Sequence, residues 1–130
     1  MTVGVLIITH EQLGDVLLHN TEHILGVCPL QTKTLNVPFN ADPDALLGVA
    51  RELVQSLDEG DGVLVLTDLY GATPSNIAHR LLHHDPVKIV TGINMPMLMR
   101  VMNYPALRIE KLVDKAIAGG QEGIFINRRK

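Results

Sequence analysis

The chain has 130 residues and a formal net charge of −3, a size that fits one domain built around one core, residues 1–130. With no Trp, two Tyr, two Phe and no basic excess, it lacks both the charge footprint and the stacking platform of a nucleic-acid binder. Its single cysteine, Cys28, excludes an internal disulfide and a cysteine-based zinc cluster; no apolar run approaches the roughly 18 residues of a membrane helix, and no basic segment precedes the apolar start as in a signal peptide. These features predict a cytoplasmic protein without direct membrane insertion, metal or other cofactor.

Val3-Gly4-Val5-Leu6-Ile7-Ile8-Thr9-His10 opens the chain with an apolar run suited to a strand buried on both faces. Leu13, Val16, Leu17 and Ile24 then follow helical spacing up to Gly26, a C-terminal stop. Thr32 to Val37 alternates like a half-exposed edge strand. Asp42-Pro43 marks a helix start, Asp as cap and Pro at the first helical position, with Leu46, Leu47, Ala50, Leu53, Val54 and Leu57 as its apolar stripe. Gly60-Asp61-Gly62 breaks that helix.

A second buried strand, Val63 to Thr67, ends on Asp68. The turn Leu69-Tyr70-Gly71-Ala72 leads to a helix that Thr73 is expected to cap and Pro74 to open. Val87 to Thr91 reads as the next strand, and Gly92-Ile93-Asn94-Met95-Pro96 as the turn into another helix. Ile109, Leu112, Val113, Ala116 and Ile117 form a last helical stripe, expected to close at Gly119-Gly120, and Ile124-Phe125-Ile126 has the pattern of a final edge strand.

Strict alternation of strand and helix implies an α/β fold, an open doubly wound parallel sheet with helices on both faces. The common small arrangement has strand order 2-1-3-4, with an antiparallel edge strand at the C-terminus as a fifth member. In that order the chain reverses between strands 1 and 3. His10 and Asp68 then meet in the crevice at the carboxyl ends of those strands, where α/β proteins carry their chemistry.

A carboxylate that accepts a hydrogen bond from one imidazole N–H fixes the tautomer and frees the other nitrogen's lone pair. His10 with Asp68 is therefore suited to act as a nucleophile or a general base. No separate nucleophile stands out: Ser75 lacks a G-x-S-x-G setting, and Cys28 belongs at the far end of the sheet. The helix start after Gly71 offers free N–H groups and a positive dipole end to an anion, with room at Gly71 and Ala72 and donors on Thr73 and Asn76. With no arginine beside His10, this cradle differs from the guanidinium clamp of a phosphatase. It suits a phosphoryl group that is held briefly and passed on.

The strand ending in Thr9-His10, the segment Thr67-Asp68-Leu69-Tyr70-Gly71-Ala72-Thr73-Pro74-Ser75-Asn76 and the segment Thr91-Gly92-Ile93-Asn94-Met95-Pro96-Met97-Leu98 together resemble the IIA domain of the mannose-type sugar phosphotransferase system. The resemblance spans essentially the whole chain. It implies that His10 is phosphorylated, that Asp68 orients it, and that Thr73 and neighbouring amides contact the phosphoryl group. It implies a phosphocarrier that takes phosphate from an HPr-like protein and passes it to a IIB-type acceptor. It also implies a homodimer involving an edge strand at Ile124 to Asn127. Tyr70 stands where the family often has Trp. With no IIB domain following within these 130 residues, the expected acceptor is a separate protein. The alternative is a regulatory module whose His10 phosphorylation state controls a protein partner.

Other residues have simpler readings. His19 and His23, like His79 and His83, are four apart on predicted helices and are read as exposed residues rather than metal ligands. Asn94-Met95-Pro96 reads as a cap and turn that lines the crevice or merely opens its helix. A hydrolase or nucleotide-binding enzyme has only the α/β pattern in its favour: the first strand-to-helix turn carries neither G-x-G-x-x-G nor a P-loop.

Overall fold

The computed structural model describes residues 2–83 and 85–129. Four strands, β1 (Gly4–His10), β2 (Thr32–Val37), β3 (Val63–Thr67) and β4 (Val87–Thr91), alternate with α1 (Leu13–Leu25), α2 (Pro43–Leu57), α3 (Thr73–Leu81) and α4 (Met95–Met102); α5 (Ile109–Glu122) follows α4 directly. All strand pairs are parallel, in the order β2-β1-β3-β4. The central strand pairs on both sides, Ile8 lying opposite Leu35 of β2 and Thr67 of β3.

The alternation of side chains in β1 divides the core between the two faces of the sheet. Leu6 and Ile8 pack with Leu47, Ala50, Val54 and Leu57 of α2 and Ile77, Ala78 and Leu81 of α3. Val5 and Ile7 pack on the other face with Leu98 and Val101 of α4 and Leu112 and Ala116 of α5. Every residue of β1 before His10 is buried, which is why its sequence is an unbroken apolar run.

Local chemistry sets the element ends. Asp42 caps α2 by accepting from the Asp44 N–H at 3.0 Å, with Pro43 at the first turn. Asn94 caps α4, accepting from the Met97 N–H at 2.8 Å, and its Nδ2 donates to the Gly120 carbonyl at 3.2 Å. Gly26 ends α1 in the left-handed conformation at φ 79°. Asp15 ties α1 to the edge strand β2, accepting from the Thr34 hydroxyl and from Asn36 Nδ2. Those two hydrogen bonds, Thr34 first, hold its carboxyl below the usual range against the opposing effect of burial.

Four sequence expectations are corrected. In α1, Leu13, Val16 and Ile24 are exposed, while Leu17, Leu18 and Leu25 meet the core; the inward face is rotated from the stripe read from the sequence. The cap of α3 is Ala72, which places Thr73 and Pro74 at the first two helical positions, and no side chain caps this helix. Gly119 and Gly120 do not stop α5 but lie inside it, both buried. They are the contact with α4: a Cβ on Gly119 would lie 2.4 Å from Arg100 Cβ and 3.1 Å from the Pro96 carbonyl oxygen. Ile124 to Ile126 form no strand, and the sheet has four members. Among the described residues this run pairs with no strand, and its side chains are largely exposed.

Candidate functional site

β1 and β3 are parallel neighbours, so the chain leaves both strands at the same end of the sheet and their ends lie side by side. Asp68, the first residue after β3, meets His10, the last of β1, across 58 positions of sequence. Oδ2 of Asp68 accepts from the His10 backbone N–H at 3.0 Å and lies 2.8 Å from the ring Nδ1. Oδ1 accepts from the Leu69 backbone N–H at 3.0 Å. The carboxylate is thus fixed by backbone at both oxygens. In this geometry it is an acceptor, which places the imidazole proton on Nδ1. Nε2 has no hydrogen-bond partner among the described residues, so its lone pair is available. The His10 side chain is 25% exposed and that of Asp68 10%: the imidazole is accessible and the carboxylate paired with it is sheltered.

The end of β1 is anchored on both sides. The buried Thr9 hydroxyl accepts from the Gly14 N–H at 2.8 Å and satisfies a donor in the first turn of α1. Glu11 follows His10 at φ 46°, a conformation uncommon outside glycine. Its N–H donates to the Val37 carbonyl at 2.9 Å, and its Oε1 accepts from the Phe39 N–H at 3.1 Å. Those bonds bring the loop after β2 over the site, where the Phe39 ring stacks on the His10 imidazole, centroids 5.4 Å apart and planes 22° from parallel. Phe39 was not among the site residues expected from sequence. Its signal was present: it lies two residues beyond the strand expected beside β1.

The turn Leu69 to Ala72 delivers the start of α3 to the same end of the sheet. Gly71 takes φ 86°, which the turn requires and an L side chain resists. The donors expected to face a phosphoryl group are unevenly available. The Ala72 N–H is spent on the Leu69 carbonyl at 3.3 Å, Asn76 Nδ2 on the Gly71 carbonyl at 3.4 Å, and the Asn76 N–H on the Ala72 carbonyl at 3.0 Å. The N–H groups of Gly71, Thr73 and Ser75 have no acceptor among the described residues. Gly71 and Asn76 line a cavity of about 360 Å³ with Tyr70, Ser75, His79, Leu82, Ile89 and Thr91; neither His10 nor Asp68 belongs to it. The structure therefore joins His10 to Asp68 directly, while among the described residues no hydrogen bond links Gly71 or Asn76 to that pair.

The remaining residues of interest lie elsewhere. Asn94 is a helix cap. Arg51, Arg80 and Arg100 pair with Asp85, Asp44 and Glu122. Cys28 lies between α1 and β2, and burial pushes its thiol up from the usual range.

An open doubly wound sheet with its polar site at the chain-reversal point defines the α/β class that places ligands at the carboxyl ends of its strands, and here that point carries a carboxylate-paired, accessible histidine. The comparisons with known proteins are more specific. The family model for the fructose IIA component of the phosphotransferase system, EIIA-man, matches residues 4–117. The mannose-specific EIIAB component of Escherichia coli K12 is 29% identical over 131 residues, covering 95% of this chain and 39% of that protein; the chain spans about two-fifths of the length of the curated relatives it first matches. Among solved structures, an EIIA component from Streptococcus agalactiae superposes with TM-score 0.82 at 26% identity, covering 95% of this chain and 96% of that one. The mannose/sorbose-specific IIA subunit of Enterococcus faecalis gives TM-score 0.88 over 100% of this chain and 98% of that one; at 20% identity that likeness speaks for the fold alone. The chain belongs to the mannose/fructose family of IIA components of the sugar phosphotransferase system.

Proposed function

We propose that this protein is a phosphocarrier that accepts a phosphoryl group on Nε2 of His10 from an HPr-like protein and passes it to a separate IIB-type acceptor. The observation that carries this reading is the Nδ1 to Asp68 Oδ2 contact of 2.8 Å, which leaves Nε2 as the free nucleophile. Asp68 keeps the proton on Nδ1 during attack and balances the positive charge the ring then carries. Gly71, Ala72, Thr73 and Asn76 are the residues assigned to the phosphoryl group. In this assignment the unspent N–H groups of Gly71 and Thr73 and the Thr73 hydroxyl face it, and Ala72 and Asn76 shape the turn.

Exposed apolar side chains accompany the site: Phe39 stacks on His10, Leu13 follows His10 by three residues, and Leu69 and Tyr70 directly follow Asp68. Such a set supports a protein as phosphoryl donor and acceptor rather than a small substrate. We also infer that the protein acts as a homodimer, on the family resemblance and on the exposed run at 124–126.

The test is incubation with HPr, its upstream kinase and phosphoenolpyruvate. The expected product is an acid-labile label on the wild type, absent from His10→Ala and chased onto a IIB protein when one is added. A label retained in His10→Ala would overturn the assignment, and a label that never leaves for IIB would favour the regulatory alternative.

A further inference from the structure

We propose that Phe39 is a positioning residue for His10, clamping one face of the imidazole and stabilising the positive charge it acquires when phosphorylated. The inference rests on His10 being the phosphoryl acceptor. Phe39 is 80% exposed, a state that hydrophobic burial does not explain, yet its ring lies nearly parallel to that of His10 at 5.4 Å, within the range of offset aromatic stacking. What holds it is a pair of hydrogen bonds through Glu11. The Phe39 N–H donates to Glu11 Oε1 at 3.1 Å, the Glu11 N–H donates to the Val37 carbonyl at 2.9 Å, and Glu11 is the one non-glycine residue with positive φ among those described, at 46°. A backbone conformation of that kind persists where its surroundings enforce it. Here it turns the residue after the nucleophile so that its carboxylate can grip the loop carrying Phe39.

The consequence follows from the transfer step. The Nε2 lone pair of His10 attacks phosphorus on a donor phosphohistidine. The P–Nε2 bond forms, the donor N–P bond breaks, and its electron pair returns to the donor ring. His10 now carries phosphorus on Nε2 and keeps its proton on Nδ1, so its ring is cationic. Asp68 meets that charge in the ring plane, at Nδ1. Phe39 meets it from above, where the negative face of a benzene ring attracts a cation. The same contact restricts rotation of the imidazole about its bond to Cβ, which keeps Nδ1 on Asp68.

The experiment uses the small donor phosphoramidate, which needs no protein docking, with phosphohistidine followed by phosphorus NMR in wild type, Phe39→Leu and Phe39→Trp. Because the Phe39 side chain is exposed, these changes leave the core intact. Leucine keeps apolar bulk without a π face. Phe39→Leu is expected to label more slowly and to lose its phosphoryl group to water about two- to fivefold faster, as a cation–π contact at an exposed site implies. Phe39→Trp is expected to restore both. In the unphosphorylated protein, the His10 ring protons should lose their ring-current shift in Phe39→Leu. Wild-type labelling and lifetime in Phe39→Leu would overturn the proposal, and a defect confined to the HPr reaction would make Phe39 a docking contact instead. A wild type that never labels on His10 would defeat the phosphocarrier reading itself, a different result from a labelled wild type with an indifferent Leu variant.

Discussion

Asp68 is held at both carboxylate oxygens before the imidazole is counted, by the backbone N–H groups of His10 and Leu69. Asparagine can keep one carbonyl oxygen in that place, but its other terminus is an NH₂ that would face a backbone donor. The substitution therefore weakens either the ring hydrogen bond or one of the backbone bonds, and it removes the negative charge opposite the developing imidazolium. Hydrogen bonds to charged groups contribute about 1.5–3 kcal/mol, so Asp68→Asn is expected to slow phosphorylation of His10 by about 10- to 100-fold. The fold should persist, because neither partner belongs to the core. Rapid-quench labelling with phospho-HPr, alongside a circular dichroism melt, checks both halves. Labelling at the wild-type rate would mean that the pairing does not orient the nucleophile.

At the level of elements, the contact between α4 and α5 depends on the absence of side chains. The Cβ introduced by Gly119→Ala would meet Arg100 Cβ at 2.4 Å, a close-in atom that moves only with its helix. Overpacking of this kind costs about 1–3 kcal/mol. Gly48 in α2 provides the control: a Cβ there meets nothing within 4 Å, and Ala inside a helix is favoured over Gly by about 0.5–1 kcal/mol. Gly119→Ala should thus lower the urea midpoint and Gly48→Ala raise it. Equal shifts in the same direction would show that helix propensity, not packing, governs Gly119. The same pair explains why the sequence pattern ends α5 early. Two adjacent glycines are a stop signal in local terms, and only the tertiary contact with Pro96, Met97 and Arg100 turns them into helix interior. The Thr73 cap was displaced by one residue for a related reason: the Gly71 turn makes Ala72 the last non-helical position, whatever its side chain offers.

For the whole molecule, what was legible in the sequence depended on whether the pattern was long. The apolar runs of β1 and β3 gave the parallel sheet, and the sheet order then placed His10 against Asp68. The Phe39 stack depends on how one loop folds over its neighbour, through Glu11 in a rare conformation, and no periodicity encodes that. The run at 124–126 had a strand's pattern without a strand's partner. Ile124, Phe125 and Ile126 are 77%, 78% and 68% exposed, and Ile124 lines a cavity with Val90, Thr91 and Gly92 at the end of β4. Because β4 pairs only with β3 among the described residues, its outer edge is open there, a template for another strand. An apolar run with strand character and an open sheet edge in the same chain are both satisfied when two copies meet about a twofold axis. The full chain is accordingly expected to run as a dimer in light scattering at micromolar concentration. A version ending at Gly123 should run as a monomer that still labels on His10, since β1, Asp68 and the α3 turn lie outside the deleted run. A monomeric full chain, or a truncated chain that remains a dimer, would remove this segment from the interface.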